Sequence, residues 1–187
     1  MSAGPRLFIS LALPESWRRE LSLSQEQLSS RRDHVNWVRP EHLHLTLRFL
    51  GETEEALVPH VDAVLEQLAH SHKAPRLRLG EPGIFGSPAL PRVLWVGLTG
   101  EVEALNLLAR QLERRLRQLG LSPAEHGFKA HLSLGRVKRC REDLAAAHLR
   151  HPPLPLEAGL ERLELVESLL RPQGPEYHVL TRHILST

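Results

Sequence analysis

The sequence contains one cysteine (Cys140), one methionine and one tyrosine, and only 4% of its 187 residues are aromatic. A single thiol excludes an intramolecular disulfide framework, so a reducing cytoplasm is the expected location. The scarcity of aromatic side chains argues against a dedicated single-strand binder built on interleaved stacking platforms. Lysine is rare as well: Lys73, Lys129 and Lys138 are the only lysines among 24 basic residues, the rest being arginine. With 22 acidic residues the net charge is +2, and the pI of about 9.1 is compatible with a phosphate-bearing partner without demanding one. The early apolar stretch LFISLALP (Leu7 to Pro14) is too short to span a bilayer and lacks a small-residue cleavage site. It reads as a strand rather than a signal, and no membrane partner is expected.

What is present is enough apolar material, 41% of the chain, for one compact domain or two small lobes sharing an interface. The most informative stretch is HLHLTLRFLGE, residues 42 to 52. At a period of two it sends His42, His44, Thr46 and Arg48 to one face and Leu43, Leu45, Leu47 and Phe49 to the other. Imidazoles and a hydroxyl thus stand where an ordinary half-exposed strand carries Lys, Glu or Gln.

A second strand of this kind, FKAHLSLGR (Phe128 to Arg136), lies at an ungapped offset of 87 residues, which carries His44 onto His131 and Thr46 onto Ser133. The same offset carries strand 7–13 onto 94–100, so the segments 7–13 and 42–50 match 94–100 and 129–137. Helical stretches follow at 14–32 and 101–120, the second with Val102, Leu105, Leu108, Leu112 and Leu116 at helical spacing and Gly120 as its stop. Further helices are expected over 54–72 and 141–150, further strands over 75–85, 160–170 and 177–185, and the Pro/Gly-rich stretch 80–92 as the connection between lobes. The organisation is read as a single bilobal α+β domain over residues 1–187, repeated at the level of the lobe. Related lobes pack about a pseudo-twofold axis, so His44 and His131 are expected to meet over a shared cleft.

Two imidazoles on opposite walls suit an in-line displacement at phosphorus, where one group takes a proton while another gives one. Thr46 and Ser133, on the same faces, are placed to hydrogen-bond the nonbridging phosphate oxygens between them. No metal or other cofactor is required. The His42-x-His44 spacing invites zinc, but a third ligand is needed and no nearby Cys, Asp or Glu completes a site. His42 reads better as a rim or structural histidine.

Set behind RLFISLALP and RVLWVGL, the stretches HLHLTLRFLGE and HLSLGR resemble the paired H-x-T/S signatures of the two-histidine (2H) phosphoesterase superfamily. Within it the chain is most similar to the RNA 2',3'-cyclic phosphodiesterase family, also called 2'-5' RNA ligase or LigT-like. The blocks 37–52 and 166–180 extend the likeness over nearly the whole chain. The resemblance implies two lobes with antiparallel sheets around a central cleft and helices outside. It further implies metal-independent opening of a terminal 2',3'-cyclic phosphate to a 2'-phosphate, with RNA ends or small cyclic nucleotides as partners. Carried over, His44 is the proton donor, His131 the proton acceptor, and Thr46 and Ser133 bind phosphate. The family often has Pro and Thr where this chain has Ala130 and Ser133; loss of the proline is expected to alter strand entry, and serine, which keeps the hydroxyl without the β-branch, to hold phosphate less rigidly.

Two other readings stay open: the reverse reaction, joining a cyclic phosphate to a 5' hydroxyl, and a cleft that binds RNA ends without turning them over. A monomer is expected. Arg48, by parity on the cleft face, is a candidate RNA contact or an ordinary strand arginine. Arg136 stands where the family carries an arginine, but strict alternation turns it away from His131 unless the strand bulges. Phe8, Phe49 and Trp37 are expected in core or rim packing, and the nine remaining histidines on the surface.

Overall fold

The computed structural model describes residues 4–29, 34–139, 143–172 and 174–186. Cys140 and the expected helical residues 30–32 and 141–142 lie outside them. In chain order the elements are β1 (Arg6–Ala12), α1 (Glu15–Leu28), β2 (His34–Trp37), a 3-10 turn (Pro40–His42) and β3 (His44–Glu52). A second 3-10 turn (Glu55–Leu57) runs into α2 (Val58–Ser71), followed by β4 (Arg76–Ser87), β5 (Leu90–Gly100), α3 (Val102–Gln118) and β6 (His131–Arg139). The chain ends with α4 (Leu144–Arg150), β7 (Glu157–Gly159), β8 (Arg162–Arg171) and β9 (Gly174–Ile184).

The alternating stretches form strands because every second side chain has a core to enter. Leu7, Ile9 and Leu11 of β1 and Leu45 and Leu47 of β3 are buried, as are Leu94 and Val96 of β5 and Leu132 and Leu134 of β6. Each contributes roughly 2 kcal/mol of burial. Helix α3 buries Leu105, Leu108, Leu112 and Leu116, and it stops at Gly120, whose φ of +88° lets the Leu121 N–H reach the Leu116 carbonyl.

Two antiparallel sheets result, ordered β3-β1-β8-β9 and β2-β6-β5-β4-β7. The four strands of the first correspond in pairing to β6-β5-β4-β7 of the other. The sheets are not, however, the two halves of the sequence. Strand β4 leaves the first half to form a hairpin with β5, and β8 returns from the second half to pair with β1. The helices cross over too. Helix α1 packs beside α4 and reaches β6 through Gln25, while α2 and α3 cover β8, β9 and β3. Each sheet therefore carries helices on one face and leaves the other for the cleft.

The stretch 80–92 does not connect lobes. It lies within the β4–β5 hairpin, where Pro82 follows a break in register after Leu79. Gly83 sits so close to Trp95 that a Cβ there would stand 2.2 Å from the indole ring. Proline and glycine serve a bulge and a close approach inside one sheet, not a linker. Strands β2 and β7, both short, have no alternating pattern long enough to announce them.

Candidate active site

The cleft face of the first sheet is set by its register. Ala12 faces His44 and Ser10 faces Thr46, but Ile9 faces Arg48, so the strand skips a residue at Leu47. Beyond that bulge the faces exchange: Phe49, opposite Phe8, turns to the cleft and is 56% exposed, while Arg48 turns to the helix side. There the Arg48 Nε–H donates to Glu113 Oε2 on α3 at 2.7 Å, and its other nitrogens donate to the carbonyls of Phe49 and Ser122. The expected cleft position of Arg48 is thus corrected; parity failed because a bulge reverses it.

The second sheet repeats the device. Gly97 faces His131 and Trp95 faces Ser133, then Leu94 faces Gly135 and Val93 faces Arg136, a skip at Leu134. This bulge returns Arg136 to the face of His131, whereas unbroken alternation would have hidden it. Strands β3 and β6 come within 8 Å of each other, Cα to Cα.

The two histidines are held alike. Nδ1–H of His44 donates to the His42 carbonyl and Nδ1–H of His131 to the Lys129 carbonyl, each at 2.7 Å. A carbonyl only accepts, so this network assigns the proton of the neutral ring to Nδ1 and leaves Nε2 with its lone pair. Neither Nε2 has a partner among the described residues.

Their surroundings differ. His44 stacks on Phe8 (centroids 4.7 Å apart, 26° between planes) and meets the edge of Tyr177 at 5.6 Å. Tyr177 in turn lies 4.6 Å from His42 and 5.0 Å from Phe8. This enclosure pulls the His44 pKa down to about 4, chiefly by desolvation, against which the hydrogen bond from its own Nδ1 pulls upward. His131 meets Phe85 edge-on at 5.0 Å and Trp95 at 6.0 Å. Its pKa is also lowered, by burial first and then by the charge of Lys129. His42 is not in the strand but in the 3-10 turn at its mouth, half-buried at the rim, and burial lowers its pKa too. Burial raises the Tyr177 phenol, tempered by Arg136 and Arg6.

Thr46 and Ser133 are half-buried on the same cleft faces as the histidines. Among the described residues no three His, Cys, Asp or Glu side chains converge as metal ligands, and no helix is long and apolar enough to cross a membrane. The spacing of the motifs does not single out Tyr177, Phe85, Trp95 or Lys129. The 87-residue offset holds two of these signals, since it carries Phe8 onto Trp95 and His42 onto Lys129. Nor is every remaining histidine on the surface: His148 of α4 is buried, its Nε2–H shared between the carbonyls of Trp95 (2.9 Å) and Gly83 (3.1 Å).

Comparison with known proteins agrees with this geometry. The family model for LigT like Phosphoesterase matches residues 11–95. An RNA 2',3'-cyclic phosphodiesterase of Archaeoglobus fulgidus is 32% identical over 92% of this chain and 96% of its own. One of Thermus thermophilus is 35% identical over 96% and 90%. The crystal structure of a Thermus thermophilus protein, TT0787, superposes with a TM-score of 0.82 at 34% identity, covering 96% of this chain and 97% of that one. The chain belongs to the LigT-like family of two-histidine phosphoesterases, alongside relatives named RNA 2',3'-cyclic phosphodiesterase.

Proposed function

We propose that the protein opens the 2',3'-cyclic phosphate at RNA ends or on small nucleotides to a 2'-phosphate, using His44 as general acid and His131 as general base. The observation that carries this reading is the pair of imidazoles from two sheets, each anchored through Nδ1 so that Nε2 is left for the cleft. His131 Nε2 takes a proton from water as the water oxygen attacks phosphorus. The bond from phosphorus to the 3' oxygen breaks, and His44 Nε2–H delivers the proton that makes it a hydroxyl. The Thr46 and Ser133 hydroxyls hold the nonbridging oxygens, and Arg136 and the rim residue His42 flank the path of the RNA. Each positioned proton transfer lowers the barrier by about 3 to 5 kcal/mol.

At a pKa of about 4 only about one His44 in a thousand carries the proton at pH 7 in the empty cleft. The charge of the bound phosphate favours the imidazolium and raises that fraction. A histidine depressed in this way is a strong acid once charged, which suits transfer to an alkoxide. One chain supplies both histidines, which supports action as a monomer. The single cysteine supports a cytoplasmic setting, and the matched pairing of the two sheets supports a duplicated lobe.

Phosphorus NMR of 2',3'-cyclic AMP with the protein in excess EDTA tests the reading. Formation of 2'-AMP, lost in H44A and in H131A, is the expected result. Persistence of the cyclic phosphate, there and on a cyclic-ended oligonucleotide, leaves a binding role instead. Turnover abolished by EDTA overturns the metal-independent mechanism.

A further inference from the structure

The second wall holds a cation with no carboxylate partner among the described residues. Lys129 Nζ lies 4.2 Å from the Trp95 ring centroid and 5.0 Å from that of Phe85, the two rings that also touch His131. The same residue accepts the His131 Nδ1–H through its carbonyl. Cation–π contact holds an ammonium in place while leaving its charge intact. Among the described residues, Arg48, Arg76, Arg78, Arg171 and Arg182 each pair with a glutamate, whereas no ion pair is found for Lys129 or Arg136. At the equivalent position of the first wall stands His42, packed on Tyr177. The chain uses arginine almost everywhere else, yet here it places one of its three lysines, a compact charge suited to a phosphate oxygen.

We propose that Lys129 is a phosphate-binding and positioning residue: pinned on Trp95 and Phe85, it draws the substrate phosphate to the second wall and keeps the neighbouring His131 in its unprotonated, proton-accepting form. The proposal rests on the cyclic-phosphodiesterase reading of the same cleft. The groups around His131 are Phe85 from β4, Trp95 and Gly97 from β5, and Arg136 on the same face of its own strand. Of these and Lys129, only the lysine contributes a resolved charge effect, downward, beside the larger effect of burial.

The test compares K129M, which keeps the apolar stem on the rings, with K129R, which keeps the charge. In an NMR titration of the imidazoles, His131 of K129M is expected to titrate at higher pH than in the wild type, with K129R close to the wild type. KM is expected to rise about five- to tenfold in K129M. A rise on both 2',3'-cyclic AMP and a cyclic-ended dinucleotide puts the ammonium on the reacting phosphate; a rise on the dinucleotide alone puts it on the preceding phosphodiester. K129M with wild-type KM on both substrates, or with an unmoved His131 titration, overturns the proposal. Wild-type protein that cleaves neither substrate sinks the activity reading instead, and the affinity for 2'-AMP, expected about five- to tenfold weaker in K129M, then decides the role of the lysine.

Discussion

The two histidine walls share a backbone and differ in what surrounds it. Both begin with an imidazole anchored to the carbonyl two residues before it, continue with a hydroxyl, and then bulge. After the bulge the first wall presents Phe49 to the cleft and the second Arg136. The first wall closes Phe8, Tyr177 and His42 around its histidine; the second sets a lysine on two aromatic rings beside its own. Similar strand geometry thus anchors both imidazoles through Nδ1, and the side chains packed around them enclose one in aromatic rings and set a lysine beside the other. Acid and base roles can diverge on equivalent positions because a pKa depends on surroundings, not on backbone position.

The most severe way to break the comparison is to remove either imidazole. H44A and H131A are each expected to lower kcat about 10²- to 10⁴-fold with the fold intact, read by phosphorus NMR and circular dichroism. If one variant keeps near-normal turnover, the walls do not share the reaction.

A titration of stability separates the walls next. An unfolded histidine binds a proton near pH 6.5, but folded His44 refuses it until about pH 4. The unfolded state therefore holds more protons across that window, and unfolding free energy falls as the pH drops from 6.5 to 4. His44 accounts for a loss on the order of 3 kcal/mol. Urea unfolding at several pH values should show a shallower acid slope in H44Q than in wild type, and a smaller change in H131Q. Equal changes would mean that Tyr177 and Phe8 do not set the difference.

Crowding the second wall alone sharpens the contrast. Gly83→Ala drives a methyl into the Trp95 ring and is expected to cost about 1–3 kcal/mol of stability. It should shift the His131 titration while leaving that of His44 in place. Smallest is Arg48→Met, expected to cost about 1–2 kcal/mol through the lost bond to Glu113. Its KM for cyclic nucleotides should stay at the wild-type value, and a several-fold rise would return Arg48 to the cleft.

Much of this was legible in the chain. Alternating leucines located β1, β3, β5 and β6, helical spacing located α3, and an imidazole with a hydroxyl two residues on marked both site strands. Where reading failed, it failed at particular residues. Arg48 and Arg136 changed faces because each strand bulges one residue beyond its hydroxyl, and a bulge is defined only against the partner strand. The stretch 80–92 looked like a linker because proline and glycine serve a bulge and a close approach as readily as a turn. His148 looked like any exposed histidine until α4 brought it against two sheet carbonyls.

By itself the sequence determined which side chains share a strand face near each histidine, since a period of two is a property of the local backbone. It also determined the pairing of imidazole with hydroxyl and the equivalence of two segments at an offset of 87 residues. Only the tertiary structure decided which strands lie together, because β4 of the first half and β8 of the second each pair across to a strand of the other half. It alone decided that Tyr177, far along the chain, encloses His44 while Phe85 and Trp95 close on His131. Desolvation and charge act through space over a few ångströms, and the residues that close those distances are brought together by packing rather than by sequence spacing.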